Sequence, residues 1–284
     1  MKNLLFLFAL LLCGSSQLYA QLETTQYATN LFRGTRVING HSVETLNEGE
    51  MEMLISHRFG RINGGGYELF GLDQASIRIG FDYGIKKWLN IGIGRSSLGK
   101  HYDSYLKLAI LRQSTGKKNM PISLTGFASV AMNTLKAPSA EEPIPFQSRL
   151  SYTYQLFIAR KFSDNFSMQI MPSVVHFNLV DSRALSNDVI SIGAAGKYHL
   201  TKNLALTAEY YYTLPDQLAT GKYNSLSFGI DINTGSHVFQ LHFTNSDGMI
   251  EKAFIGDTTG NWNKGDIHFG FNMSRTFKLK GRRY

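Results

Sequence analysis

From Glu48 onward, apolar and polar residues alternate along segments of about ten residues. Ile77, Ile79, Phe81 and Tyr83 fall on one side of such a segment, and Ser76, Arg78, Gly80 and Asp82 on the other. The same pattern sets Leu204, Leu206, Ala208 and Tyr210 against Ala205, Thr207, Glu209 and Tyr211. It recurs with Leu226, Phe228, Ile230 and Ile232, and again with Ile267, Phe269, Phe271 and Met273. A period of two is that of a strand with one apolar and one polar face. The pattern predicts twelve strands, over 50–59, 75–84, 88–96, 102–112, 121–132, 149–161, 165–177, 188–199, 203–212, 223–233, 237–245 and 265–277. Long helices are not indicated. Only 102–112 is ambiguous, because Tyr105, Leu106, Ala109 and Ile110 would also share a helix face.

The connections sort by length. Short turns over 85–87, 163–164, 200–203 and 234–236, with a slightly longer one over 116–119, alternate with longer loops over 60–74, 97–101, 133–148, 178–187, 213–222 and 246–264. Tight turns at one end and longer loops at the other are the plan of a transmembrane barrel with periplasmic turns and extracellular loops. Aromatic residues gather near strand ends (Tyr83, Trp88, Tyr102, Tyr152, Tyr154, Phe162, Phe166, Tyr198, Tyr210, Tyr212 and Phe277), as an interfacial girdle requires. The polar face is rich in Ser, Thr, Gly, Gln and Asn, which suits a wet or hydrogen-bonded interior. A soluble all-β sandwich, the competing architecture, would carry denser charge outside. The expected fold is therefore all-β: a closed antiparallel transmembrane β-barrel of about twelve strands.

The N-terminus divides the chain further. Lys2, the apolar run 4–12, the break at Gly14-Ser15-Ser16 and the small-residue point Ala20-Gln21 read as a secretory signal peptide over 1–20. The only cysteine, Cys13, directly follows that run inside the signal peptide, so thiolate metal sites and disulfides are not expected in the exported chain. Residues 49–284 are assigned to the barrel and 21–48 to a separate N-terminal piece. In it, Asn39-Gly40 stands between two β-type runs, the signal for a two-residue hairpin turn. A strap at the periplasmic mouth is expected, with a plug folded into the lumen as the alternative; Arg36, Asn39, Gly40 and His41 are its candidate residues.

Lys and Arg number 29 against 21 Asp and Glu, a net charge of +8. The positive charge is dispersed, with denser spots only at Lys117-Lys118 and over 278–283. In an exported protein this suits an anionic surface or anionic solutes, and no nucleic-acid partner is expected. Alternation turns Glu50, Glu52, Arg58, Arg78, Asp82, Lys107, Lys197, Glu209 and Asp231 inward. Two roles are open to them: a mutually neutralising network filling a narrow barrel, or the charged lining of an aqueous path.

Residues 94–101, GRSSLGKH, imitate a phosphate-binding loop behind an apolar strand. His101 replaces the hydroxyl that would hold magnesium, and the following 102–112 fits a strand with Leu106, Leu108 and Ile110 toward lipid and Lys107 inward. A phosphate loop must instead open a helix, so no nucleotide is expected. Gly64, Gly65 and Gly66 read as turn glycines. The eight histidines, His57, His176, His199, His242 and His268 among them, show no metal-ligand spacing, and no cofactor is expected. His41 and Ser42 are adjacent and so point to opposite faces of any strand, which weakens an acyl-hydrolase reading; an enzyme is not expected.

At Phe32-Arg-Gly-Thr-Arg-Val-Ile-Asn-Gly-His-Ser-Val-Glu44, Ser56-His-Arg-Phe-Gly60 and Gly94-Arg-Ser-Ser97 the chain resembles a family of exported β-barrel proteins of Bacteroidota-type bacteria, a domain of unknown function in the outer-membrane barrel group. The resemblance covers most of the chain and implies a barrel in the bacterial outer membrane, with no activity or site residue to transfer. The functional expectation is a porin-like barrel that passes or binds a small solute. The alternative is a closed structural or accessory barrel that docks a periplasmic or surface partner. Outer-membrane lipid is the expected surrounding.

Overall fold

The computed structural model describes residues 24–279 apart from 138–142, 181, 183, 184 and 236; the proposed signal peptide lies outside the described residues. A short strand β1 (Thr25–Tyr27) precedes the first barrel strands, β2 (Glu50–Arg61), β3 (Ala75–Lys86), β4 (Leu89–Ser96) and β5 (His101–Leu111). A three-residue strand β6 (Ser114–Gly116) pairs with β1 outside the barrel. The barrel continues with β7 (Ser123–Asn133), β8 (Leu150–Lys161), β9 (Phe166–Phe177), β10 (Asp188–His199), β11 (Leu204–Thr213), β12 (Leu226–Asn233), β13 (His237–Thr244) and β14 (His268–Lys278). Each of these twelve pairs antiparallel with the next, and β14 pairs with β2 to close the ring. Closure leaves no sheet edge to satisfy in hydrocarbon.

The period of two sorts the side chains as the sequence predicts. Along β3, Ile77, Ile79 and Phe81 face outward while Arg78 and Asp82 are buried within. The outward residues of neighbouring strands, Ile91, Ile93, Leu106, Ile110, Ile190, Ile192 and Leu206 among them, join into an apolar belt. The ambiguous 102–112 is strand β5, paired on both sides, with Leu106 and Ile110 exposed and Lys107 buried.

Two expectations about connections need correction. The loop expected long over 97–101 is only 97–100, because Gly99 (φ 60°) and Lys100 (φ 47°) adopt the left-handed conformation that reverses the chain tightly. At the opposite end, the turn after β5 runs over 112–122 and carries β6, lengthened by its pairing with β1. Register shifts fall at His268/Gly270, Gly84/Lys86 and Ala109/Leu111, and the pairing also lapses once in mid-wall. The β8–β9 register passes from Gln155↔Ser173 to Ile158↔Ile170, while Ile192↔Pro172 holds on the other side. Pro172 has no N–H to give the ladder, so the lapse falls beside it.

The segment expected as a strap at the mouth runs inside the barrel instead. Leu31, Phe32, Val37 and Ile38 are fully buried, and Val43 and Leu46 nearly so. The loop 245–267 enters from the other end and carries a short helix α1 (Glu251–Gly256), whose Phe254 and Ile255 are buried. Phe254 packs on the Tyr211 ring at 5.1 Å.

Ile93 is 58 % exposed in mid-strand, opposite Phe81 and Ser104. Ile93→Arg should cost about 2–4 kcal/mol of stability in a bilayer, as a cation near the hydrocarbon midplane does. Urea titration of protein folded into vesicles measures it, and an unchanged midpoint would remove Ile93 from the lipid face.

Candidate functional site: an occupied lumen

The N-terminal segment 28–48 contains no regular element, so its backbone groups need partners other than a sheet ladder. Inward side chains of the wall provide them. Lys197 Nζ donates to Asn30 O at 2.6 Å, and Lys107 Nζ donates to Glu44 O. Thr125 Oγ1 donates to Val43 O (3.2 Å), Gln169 Nε2 to His41 O (2.8 Å), Gln240 Nε2 to Val37 O (2.7 Å) and Asn272 Nδ2 to Ile38 O (2.8 Å). These donors come from six different strands, so the segment is held from all around the ring.

The turn at its tip differs from the expected two-residue Asn-Gly reversal. Val37 N–H donates to Gly40 O at 2.8 Å, Arg36 bridges His41, and neither Asn39 nor Gly40 takes a positive φ. The reason is Glu209. Its carboxylate accepts from the N–H groups of Ile38 (3.4 Å), Asn39 (3.2 Å) and Gly40 (3.0 Å). Successive amides aimed at one carboxylate form an anion nest, with charge-assisted bonds that the mirror-image turn would not present. Gly40 is required by close approach: a Cβ there would lie 2.2 Å from Tyr211 Oη.

Of the nine charged residues predicted to turn inward, Glu52, Arg58, Arg78, Asp82, Lys107, Lys197, Glu209 and Asp231 are each at most 3 % exposed. Glu50 is not among them; it sits at the short-turn rim and accepts from Asn47 N (3.0 Å) and Nδ2 (2.9 Å). Arg36 pairs with Asp82 at 3.3 Å, and Thr35 Oγ1 donates to Glu52 at 2.5 Å. Arg58 Nη2 donates to Asn39 Oδ1 at 2.7 Å, and Asp231 accepts from Gln240 at 3.0 Å. Arg78 grips Asp103 with two bonds, 3.0 and 2.5 Å. Asp103, Gln169, Gln240 and Asn272 were missing from the predicted set although their inward parity marked them. The three amides look generic in sequence, and their role appears only when a backbone is laid against them, whereas Asp103 serves to pair Arg78.

The inner segment and the outer loop meet at His41. Arg36 Nη1 lies 2.6 Å from His41 Nδ1; an arginine can only donate, so the ring proton sits on Nε2. That nitrogen faces Glu251 Oε1, on α1, at 3.4 Å. The ring is wedged between Tyr105 (4.5 Å) and Phe127 (4.4 Å). Glu251 left no sequence signal, since it reaches the lumen from a loop. The same loop is pinned outside by Asp266, which accepts from Asn63 Nδ2 (2.7 Å) and Asn261 N (3.1 Å) and pairs with Arg61 (3.2 Å). The Asn63 amide, chiefly, holds the Asp266 carboxyl below its ordinary range. Its contribution is therefore present above the ordinary carboxylate pKa and lost as pH falls through the depressed one.

Residues 94–101 form a rim turn rather than a phosphate loop. Ser97 N donates to Ile77 O (2.8 Å) and Ser97 Oγ accepts from Ile77 N (2.9 Å), so the serine closes the top of β3. Arg95 lies over the Tyr102 ring at 5.3 Å. This gives the Arg95-Ser96-Ser97 stretch a structural purpose. Among the described residues no group of three or more His, Asp or Glu side chains is placed to hold a metal ion.

A closed ring of strands, an apolar outer belt and a polar interior filled with hydrogen-bonded chain define a membrane-embedded β-barrel. The chain belongs to the membrane bound beta barrel domain family (DUF5777), whose model matches residues 32–277. Among solved structures it is similar to a NanC porin, with a TM-score of 0.49 and 9 % identity over 81 % of this chain and 100 % of that one. It is also similar to a KdgM porin (TM-score 0.45, 8 % identity, 81 % and 99 %) and to mutants of the Rh. blastica porin (0.34, 13 %, 71 % and 55 %). No curated protein matches the chain in sequence.

Glu209→Gln removes the charge from the nest. It should weaken the hairpin by about 1.5–3 kcal/mol, the value of bonds to a charged group. Amide exchange over 35–42 should then quicken about tenfold or more, with that over β2 unchanged, in hydrogen-exchange mass spectrometry. Equal protection in wild type and variant would show that the carboxylate does not hold the turn.

Proposed function

We propose that this protein is a bacterial outer-membrane barrel for a small solute whose path is shut by its own N-terminal segment. The observation that carries the reading is the filled lumen: segment 28–48 bonded to six strands of the wall, with α1 meeting it at His41. Twelve strands enclose a modest bore, and a chain threaded through it leaves little room for water beside it. The wall's inward polar and charged groups suit a wet path once the segment yields, because each can exchange a backbone partner for water or solute. A leader over 1–20, with division into 21–48 and 49–284, belongs to the same proposal. The reading is non-enzymatic.

One observation favours a second reading, a closed barrel that docks a partner. The outer connection between β2 and β3 exposes Tyr67 (96 %), Leu69, Phe70 and Leu72, and holds Leu69 (φ 46°) and Phe70 (φ 54°) in the left-handed region. Exposed apolar side chains on a strained loop are a common form of interaction surface.

Because Cys13 is the only cysteine, a two-cysteine variant gives a clean lock. Asn39 Nδ2 contacts Ser227 Oγ at 2.9 Å, which makes Asn39→Cys with Ser227→Cys the pair to oxidise across hairpin and wall, with closure of the bridge verified by mass spectrometry before recording. In planar bilayers the oxidised double variant should be silent. Reduction, or Glu209→Gln, should bring conductance steps. Silence in every form, with insertion verified, would leave the accessory reading; steady conductance from the oxidised lock would show that the lumen is not the path.

A further inference from the structure

At the short-turn end, a cleft of about 250 Å³ lies beside the root of the N-terminal segment. Its walls are Asn30 and Arg33 of the segment, Lys161 and Asp164 at the β8–β9 turn, and His199 and Lys202 at the β10–β11 turn. All of its lining residues are among those described. His199 N donates to Asn165 O at 2.8 Å, which joins the two turns. Lys161 and His199 continue the inward parity of the buried Ala159 and Lys197, so the cleft opens into the mouth of the barrel and not toward lipid. At ~30 Å³ per water it has room for about eight waters, enough for a small ion with part of its hydration shell.

Three cations meet one carboxylate in it. Asp164 is fully exposed and pairs with Lys161 at 3.3 Å. An exposed pair of this kind is weak, because water screens it. Neither Arg33 nor Lys202 has a carboxylate within ion-pair distance among the described residues. Lys86 of the β3–β4 turn, by contrast, is paired with Glu48 at 2.9 Å. An anion arriving in the cleft therefore meets positive charge that the protein leaves uncompensated.

The guanidinium of Arg33 is fixed in advance. Its Nη2 donates to Thr201 O at 3.4 Å and to Lys202 O, and lies 2.9 Å from His199 Nδ1. Its Nε is buried, whereas Nη1 has neither a partner nor that burial among the described residues. Lys202 is exposed and makes no side-chain bond among them. Lys161 Nζ keeps only a long bond to Thr29 O (3.5 Å) besides Asp164. The open groups are thus all donors, and they come from three elements. A carboxylate has two oxygens in one plane and answers two of them; a tetrahedral oxyanion has an oxygen for each. A fixed guanidinium also lowers the ordering cost of binding.

We infer that this cleft binds a free tetrahedral oxyanion of the phosphate class, held by Arg33 Nη1, Lys161 Nζ and Lys202 Nζ. Arg33 belongs to the inner segment and the two lysines to the wall, so the anion ties the root of the segment to the rim. Bound anion stabilises the seated segment, because a ligand that binds one state shifts the balance toward it. The inference goes beyond the passage reading. The site is complete in the closed barrel and stands whether or not a solute passes.

Inorganic phosphate, sulfate and acetate are the probes, added to the folded protein in detergent at constant ionic strength, which holds general screening fixed. Calorimetry should show saturable phosphate binding for which sulfate competes, at least about tenfold tighter than acetate, about 1.4 kcal/mol. Lys202→Gln, which removes no side-chain bond seen in the structure, should weaken phosphate about tenfold. Lys117→Gln, outside the cleft, should change nothing. On wild-type protein, phosphate at ten times its Kd should slow amide exchange over 29–34 about tenfold, against chloride at equal ionic strength and with β12 unchanged. Acetate binding as tightly as phosphate, phosphate binding indifferent to Lys202→Gln, or exchange over 29–34 untouched by saturating phosphate would each overturn the site. A lipid headgroup carries the same phosphate chemistry. If short-chain phosphatidylglycerol protected 29–34 and inorganic phosphate did not, the headgroup would be the ligand and the assignment to a free anion would fall.

Discussion

Everything inside this barrel depends on one constraint: an irregular chain buried in a narrow ring must have its amides and carbonyls bonded by side chains. The wall meets it with long, flexible donors. Lys107, Lys197, Gln169, Gln240 and Asn272 reach across to carbonyl oxygens, while Glu209 gathers three N–H groups at the tip. These wall donors, and the Glu209 carboxylate, take their partners from the segment just as the segment takes its own from them. Removing either would strand buried polar atoms, which costs more than the net worth of the bonds themselves.

That reciprocity explains how so many charges sit together without solvent. Arg78 is neutralised by Asp103 and Arg36 by Asp82, while Arg58 keeps its charge and donates to the amide oxygens of Asn39 and Asn272. His41 lies where the network changes ends, bonded to Arg36 of its own hairpin and facing Glu251 of the outer loop. The inner segment and outer loop thus share a contact in mid-lumen, and movement of one alters the packing offered to the other. At the root of the same segment, Arg33 is tied to the β10–β11 turn beside the cationic cleft.

Much of the fold was legible in residue order. Strands with one face to lipid and one to a polar interior must alternate, so Ile77, Ile79 and Phe81 could be told from Arg78 and Asp82 by parity alone. The inward charges followed from the same rule, and Glu50 escaped only because it stands at a strand end where parity no longer means enclosure. The outer turn at 97–100 was read as longer than it is, since a residue such as Lys100 with positive φ leaves little trace in sequence. The Asn39-Gly40 signal located a reversal but not its form, because that form is imposed by Glu209, far away in the chain.

By itself, then, the sequence determined the alternation, the number of strands, the aromatic ends and the existence of a hairpin before the barrel. These are local properties, set by the side-chain period and by turn chemistry. Tertiary structure alone decided that the hairpin threads the lumen, that uncharged amides hold it and that Glu251 descends to meet it. Each of these joins residues from opposite sides of a closed ring, and closure, which no stretch of chain encodes singly, is what brings them within bonding distance.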